Sequence, residues 1–427
     1  MKDVTRPLAV WALLVLRLSA PKPACAQQAD SVRDTTPEAG VSAGEADAEP
    51  PRRRLVKWNE YEGPLFTLRV GAGFLLDYAT YSQDAASREQ MDLEPGPKIR
   101  DTRLVIGGRI KTKRRITYQA GLMYDGYLEE WFVRQTGLMI AVPEAWGNFW
   151  IGRSKEGPSL NRVMTGYDGW THERFTFSDA AIPLLADGIK WLGYLPSRSL
   201  IWNVGVFTDW LSKDQSFSYY HQAVAGRVAW VPMVSDSAGK LVHIGASFQF
   251  GNPEKDTLRL KSKPEASDAP NFIDTGNFPA TSATLLGLEA YYRPGSWLFG
   301  TEYYWEKASS PQTGDPLFHG GDIFASWLVT GETRSYNTTG GYFRQVSPRR
   351  TVFEGGPGAV ELVLRFSYSD LNDGTLRGGT FWRLTPMANW HLSDFLRLEL
   401  IYGVGELDRF DLEGTTEFFQ SRLQLEF

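Results

Sequence analysis

Polar and apolar residues alternate along this chain in short segments, and the pattern recurs from about residue 65 to residue 427. In VELVLRFSYSD, residues 360–370, Leu362, Leu364, Phe366 and Tyr368 share one face. Glu361, Arg365, Ser367 and Ser369 share the other, with Val363 among them. FLRLELIY sets Leu396, Leu398, Leu400 and Tyr402 against Arg397 and Glu399. SWLFGTEYYWE sets Trp297, Phe299, Tyr303 and Trp305 against Gly300, Glu302, Tyr304 and Glu306. Period two is the signature of a β-strand. The pattern predicts sixteen strands, near 65–78, 99–110, 114–125, 128–140, 146–153, 187–195, 200–210, 221–231, 240–250, 283–293, 296–306, 321–331, 358–370, 380–391, 395–406 and 414–427. No helical stripe competes over a long stretch, and no apolar run approaches the roughly 20 residues of a spanning helix.

Two all-β architectures fit such alternation. A secreted sandwich would turn its polar faces to water, but it has no need of many aromatics near strand ends. Aromatic residues are 13% of this chain, and Trp202, Trp210, Trp230, Trp297, Trp305, Trp382 and Trp390 sit near predicted strand ends. A closed membrane barrel accounts for both features. In lipid every backbone polar group must be paired, so the sheet closes on itself. Even strand numbers and aromatic girdles accompany that closure. The expected fold is therefore all-β: a transmembrane antiparallel β-barrel of 16 strands, spanning residues 61–427. Its charged strand residues would line a wet lumen.

The first residues, MKDVTRPLAVWALLVLRLSAPKPACAQQAD, read as an export signal. Lys2 and Arg6 form a basic start, Leu8 to Leu16 a short apolar stretch, and Ala24-Cys25-Ala26 a small-residue cleavage site. Residues 1–26 are the expected signal peptide. Cleavage would remove Lys2, Arg6, Arg17, Lys22 and Asp3, taking the formal charge from -5 to -8 and the single cysteine with it. An acidic chain carries no general attraction for nucleic acid. Residues 27–60 are rich in Ala, Asp, Glu, Pro and Ser and show no apolar period, so a flexible periplasmic segment is expected.

Three stretches carry a family resemblance. KIRDTRLVIGGRIKTKRRITYQAG (98–121), NFWIGRSKEGPSLNRVMTGYDGWTHER (148–174) and the final strands ending in SRLQLEF resemble the phosphate-selective porin O and P family. The resemblance implies a 16-stranded outer-membrane barrel, usually a homotrimer, whose long third extracellular loop folds inward and narrows the pore; here that loop would be 154–186. It also implies passive transport, with arginines lining an anion path. The match departs from the phosphate-selective pattern in two places. Arg100 is retained from an adjacent arginine pair, but Asp101 stands in the second position. GAGFLLDY (71–78) lacks the arginine that follows the glycines in those members. A terminal aromatic on such a strand, Phe427, resembles the mark read by the barrel-assembly machinery.

An anion entering a narrow pore loses hydration, and fixed donors must replace it without holding too tightly. Arginine suits this with a permanent charge and forked donors. The candidate pore-lining residues are Arg100, Arg103, Arg109, Arg115, Lys190 and Arg227 on strands, and Arg153, Lys155, Arg162 and Arg174 at the loop. Arg293, Arg365, Arg383, Arg397 and Arg422 share the interior parity of later strands. Each has a second reading, in which it pairs with an interior acid such as Glu289, Glu302, Glu361, Glu399 or Glu426 and holds the wall together. Trp150, Tyr167 and Trp170 similarly read either as a slide for solutes or as packing of the loop.

No catalytic set is expected. His243 and Ser247 share a parity but lie about 13 Å apart on one strand. No paired-histidine motif supports a metal, and no cofactor is implied. The expected function is a passive outer-membrane channel for small hydrophilic solutes or inorganic ions, with outer-membrane lipid as its surroundings. The alternative is a non-conducting structural or partner-binding barrel.

Overall fold

The structure, a computed structural model, describes residues 59–126, 128–164, 166–210, 220–235 and 239–427. The expected signal peptide and nearly all of the 27–60 segment lie outside the described residues. Sixteen antiparallel strands close into one barrel. They are β1 (Thr67–Gln83), β2 (Gly96–Ile110), β3 (Ile116–Asp125) and β4, which is interrupted (Glu130–Val133 and Thr136–Val142). Then come β5 (Gly147–Ser154), β6 (Ala186–Leu195), β7 (Leu200–Thr208), β8 (Tyr220–Ser235), β9 (Lys240–Pro253) and β10 (Ser282–Pro294). The last six are β11 (Trp297–Ser309), β12 (Leu317–Leu328), β13 (Ala359–Asp373), β14 (Leu376–His391), β15 (Leu396–Arg409) and β16 (Leu412–Glu426). All sixteen overlap the predicted segments; the largest difference is at β1, which runs five residues past 78, and β12 begins four residues before 321.

Closure comes from β1 pairing with β16, in register from Gly73↔Glu426 to Gln83↔Thr416. A short strand, Glu60–Glu62, also pairs with the start of β1. The rim where β1 begins and β16 finishes is called the lower rim here, and the opposite one the upper rim.

The burial pattern is that of a soluble protein turned inside out. Leu286, Leu288, Ile323, Leu364 and Leu400 are exposed, whereas Glu289, Glu302, Arg365 and Glu399 on the same or adjoining strands are buried. Exposed tryptophans mark both ends of the outer face: Trp146, Trp230, Trp297, Trp327 and Trp390 towards the lower rim, Trp131, Trp210 and Trp305 towards the upper. Such a surface is stable only where lipid covers it, with amphipathic rings at the two interfaces.

Two register shifts re-aim side chains. Leu75 pairs with Asp101 and Leu76 with Ile99, leaving Arg100 as the extra residue of a bulge in β2. In β4, Val133 pairs with Leu122 and Gly137 with Gln119, so Arg134, Gln135 and Thr136 oppose only Ala120 and Gly121. The Gly121 N–H left over by this bulge donates to Thr136 Oγ1 at 3.3 Å. A bulge bends its strand and turns a side chain that plain alternation would aim elsewhere.

Three long connections make many contacts with the inner-face side chains. Residues 155–185 follow β5 and contain the one-turn helices α1 (Leu160–Val163) and α2 (Thr176–Ala181). Residues 254–281, also from the upper rim, bring Leu258, Leu260, Phe272, Ile273 and Phe278 into one apolar cluster with Phe175 and Phe177. Residues 329–358 come from the lower rim and place Phe343 against Trp170.

Candidate permeation site

The interior is lopsided. Inward-facing positions on β10–β16 are buried under the three long connections, including Glu289, Glu302, Glu361, Arg365, Arg383, Arg397 and Arg422. On the lower halves of β1–β3 the inward-facing Arg69, Gly71, Val105, Gly107, Thr117 and Gln119 remain half-exposed. The open space inside the barrel therefore lies against β1–β3.

On the crowded side the arginines are engaged. Arg422 donates to both carboxylate oxygens of Asp77 at 2.6 and 2.7 Å and to Glu173 at 2.5 Å. Arg397 reaches Gly169 O at 2.7 Å and pairs with Glu399 at 2.5 Å. Arg365 pairs with Glu265, Arg383 donates to Pro264 O at 2.6 Å, and Arg334 holds Glu361 through two 2.8 Å bonds. Buried charges are tolerable only when paired and fully hydrogen-bonded, and removing one partner strands the other. These pairs are a scaffold that ties the long connections to the wall.

Asp77, His172 and Glu173 bring three potential metal ligands within 4.8 Å of one another. The guanidinium of Arg422 already bridges Asp77 and Glu173, and Arg100 donates to Glu173 at 2.9 Å. The acids there are balanced by fixed cations, so a divalent ion would add uncompensated positive charge. The cluster is an ion-pair node.

At the upper end of the open stretch the balance reverses. Arg103, Arg134, Lys155, Arg162 and Arg174 come close enough for the other four to oppose the charge on Lys155. Arg103 pairs with Asp101 at 2.5 Å and lies over the Tyr167 ring at 4.1 Å. Tyr167 in turn donates to the other Asp101 oxygen at 2.7 Å. Nε and one terminal nitrogen of Arg103 are buried without a hydrogen-bond partner among the described residues. Arg162 pairs with Asp179 and donates to Ile182 O. Arg174 donates to Asn161 O at 3.2 Å, and Lys155 donates to Met164 O. Gly166 separates two of the guanidiniums: a Cβ there would lie 3.5 Å from Arg103 and 3.9 Å from Arg174.

Burial, and then its four cationic neighbours, hold the Lys155 ammonium well below the ordinary lysine range. Arg174 is brought down to about 10, by burial first and Arg162 second. Either group regains its proton affinity when an anion arrives, since an opposite charge favours the protonated form. Above the cluster, Lys263 is lowered to about 7, mainly by burial and then by Arg100.

The sequence-predicted residues divide accordingly. Arg103, Lys155, Arg162 and Arg174 are brought together. Arg100 lies just above them on Glu173, and Lys190 donates to Lys155 O at 3.0 Å from the wall behind. Arg153 is paired with Asp187 at 2.9 Å near the upper rim. Arg227 is taken up by Glu289 at 3.0 Å and Gly341 O at 2.6 Å. Arg109 is exposed and Arg115 half-exposed, both beside the lower-rim turn between β2 and β3 and away from the cluster. Trp170 is fully buried, stacked on Phe324 at 4.7 Å, which favours its packing role over a solute slide. Sequence reasoning missed Arg134, because the bulge in β4 shifts the parity that would have marked it. It also missed Lys263, whose segment shows no periodicity.

Comparison with known proteins gives the same architecture. Residues 190–427 match the family profile "Phosphate-selective porin O and P". An uncharacterized protein of Caulobacter vibrioides is 31% identical over 208 residues, covering 48% of this chain and 39% of that protein. The chain thus spans well under half the length of this curated relative. Among solved structures, the trimer form of in-vitro folded OmpT from Vibrio cholerae superposes with a TM-score of 0.53 at 12% identity, covering 85% of this chain and 100% of that one. The anion-selective porin from Comamonas acidovorans gives 0.52 at 13% identity, with coverages of 85% and 100%. The outer-membrane channel DcaP of Acinetobacter baumannii gives 0.52 at 9% identity, with 86% and 99%. The barrel with its apolar outer face is an outer-membrane protein of non-catalytic porin architecture. With more than half of its length matched by the family profile, the chain belongs to the phosphate-selective porin O and P family.

Proposed function

We propose that this protein is a passive channel for small hydrophilic solutes, preferring anions. The observation that carries the reading is the group of five cations, Arg103, Arg134, Lys155, Arg162 and Arg174, at the end of the open stretch along β1–β3. In this reading 155–185 is an inward-folded extracellular loop and forms the constriction. Local charge there, not the formal total of -5, sets the sign of selectivity. Inorganic phosphate is a candidate solute. Against strong phosphate binding stands Asp101, which ties up part of Arg103 where phosphate-selective members carry a second arginine. A homotrimer, inserted by the barrel-assembly machinery with Phe427 as its mark, completes the proposal.

Purified protein in planar bilayers is expected to give stepwise conductance. A salt gradient should produce a reversal potential of the sign for anion preference, and added phosphate should reduce chloride current. Cation preference would overturn the anion reading while leaving the channel intact. The second reading, a non-conducting structural barrel, draws on the dense ion pairing of 155–185, 254–281 and 329–358 to the wall. Correctly folded protein without any conductance would favour it.

A further inference from the structure

Glu289 on β10 and Glu302 on β11 are directly opposite one another in the strand register, and both are buried. Two carboxylates so placed repel each other unless donors surround them. Glu289 has Arg227 at 3.0 Å and His243 Nε2 at 2.7 Å. Among the described residues, no cation is bonded to Glu302. Its partners are Tyr291 OH at 2.5 Å, Tyr304 OH at 3.0 Å, Ser159 Oγ at 2.5 Å and the Asn161 N–H at 2.8 Å. The Leu160 N–H between them donates to Glu289 at 3.0 Å. Three consecutive residues of the 155–185 segment are thus held by two adjacent wall carboxylates. Ser159 is further fixed by its N–H to Ser247 Oγ at 3.3 Å, and it takes φ 71°, a backbone region that non-glycine residues seldom occupy. Such strain persists only where the surroundings over-determine it.

The held residues lead directly to the cations. Ser159 Oγ accepts from the Arg162 N–H at 2.9 Å, so Arg162 sits in the turn that the carboxylates fix. Arg174 rests on Asn161 O, and Lys155 on Met164 O at the end of the same turn. All three loop cations of the cluster hang on residues 159–164. The other half of the segment has separate anchors, where Arg397 holds Gly169 O and Arg422 holds His172 O.

We propose that Glu289 and Glu302 form a two-carboxylate latch: they are positioning residues that set where Lys155, Arg162 and Arg174 stand, and thereby the anion preference of the channel. This rests on the channel reading above. It gives buried acids on the far wall a role in selecting anions they never touch.

The test compares Glu302→Ala with Glu361→Gln, which breaks a buried ion pair that supports the other half of the segment, where Arg334 donates to Asp168 O at 2.7 Å. In bilayers, Glu302→Ala is expected to lower the anion-to-cation permeability ratio at least twofold and to raise open-channel noise. Glu361→Gln should leave both near wild type. A Ser159→Cys/Ser247→Cys disulfide added to Glu302→Ala should restore the ratio. An unchanged ratio in Glu302→Ala, or equal loss in Glu361→Gln, overturns the latch. A second measurement does not depend on conduction. Met164→Cys is expected to react slowly with an impermeant maleimide, and several-fold faster when combined with Glu302→Ala but not with Glu361→Gln. Equal rates in all three overturn the latch even if the protein proves not to conduct. Absence of conductance with a Glu302-dependent rate would sink the channel reading alone.

Discussion

Arg134 stands where β4 changes parity. It follows the inward-facing Phe132 by two residues, so the first half of the strand aims this guanidinium inward, beside Arg103 and Arg174, whereas the parity of the exposed Leu138 in the second half would place it outside. Replacing it with alanine removes one cation of five from a partly solvated site. At an effective dielectric between bulk water and the protein interior this is worth about 1 kcal/mol, or roughly a fivefold fall in anion preference. A salt-gradient reversal potential would register that fall, and Arg377→Ala, an exposed change at the β13–β14 turn, should leave it unmoved. Lys263 offers a prediction in pH. Its ammonium is lowered to about 7, so it is charged below neutrality and neutral above. Anion conductance is expected to fall as pH rises from about 6 to about 8, and Lys263→Met should flatten that part of the profile. For stability the sign is opposite. Between about 7 and the ordinary lysine value the unfolded chain binds the extra proton, so this group's contribution to stability rises with pH. Residues such as Arg103 and Arg227 were legible because a strand's parity fixes their direction. Arg134 and Lys263 were not, since a bulge and an aperiodic loop leave no parity to read.

At the scale of elements, strands and loops differ in how much of them sequence exposes. A strand with lipid on one side and charge on the other has only one workable register, so alternation located all sixteen. The long connections obey no such rule. Residues 254–281 and 329–358 carry Glu265 and Arg334 to wall partners on β13, and only three-dimensional contact reveals those partners. Packing between loop and wall is close enough to test with a single methyl group. A Cβ on Gly73 in β1 would lie 2.0 Å from a ring carbon of Tyr167. Gly73→Ala should push that ring off Asp101 and disturb Arg103 behind it, at an overpacking cost of about 1–3 kcal/mol. The expected outcome is a barrel that still folds but melts earlier and shows altered single-channel conductance. Wild-type values for both would mean that Tyr167 moves aside freely and does not set the position of Arg103.

Over the whole molecule, the barrel exists only if its first and last strands meet. That seam runs eleven residue pairs, from Gly73↔Glu426 to Gln83↔Thr416. Phe427 extends it by two more backbone bonds, its N–H to Ala72 O and the Ala72 N–H to its own carbonyl, both at 2.9 Å. Inside the wall, Arg422 ties β16 to β1 through Asp77. These contacts are long-range in sequence, and a chain that lacks them is left with two open strand edges. The Phe427 ring itself is 44% exposed on the outer surface and far from the cation cluster. Its side chain and its backbone can therefore be separated. Phe427→Ala keeps both hydrogen bonds and removes only the ring, whereas deleting the residue removes all three. If the ring is the assembly mark, Phe427→Ala should lower the yield of folded, heat-modifiable barrel several-fold, nearly as much as deletion does. The fraction that folds should keep wild-type conductance and reversal potential. If the backbone bonds matter instead, only the deletion will reduce yield, and the aromatic ring is then one more member of the lipid-facing belt.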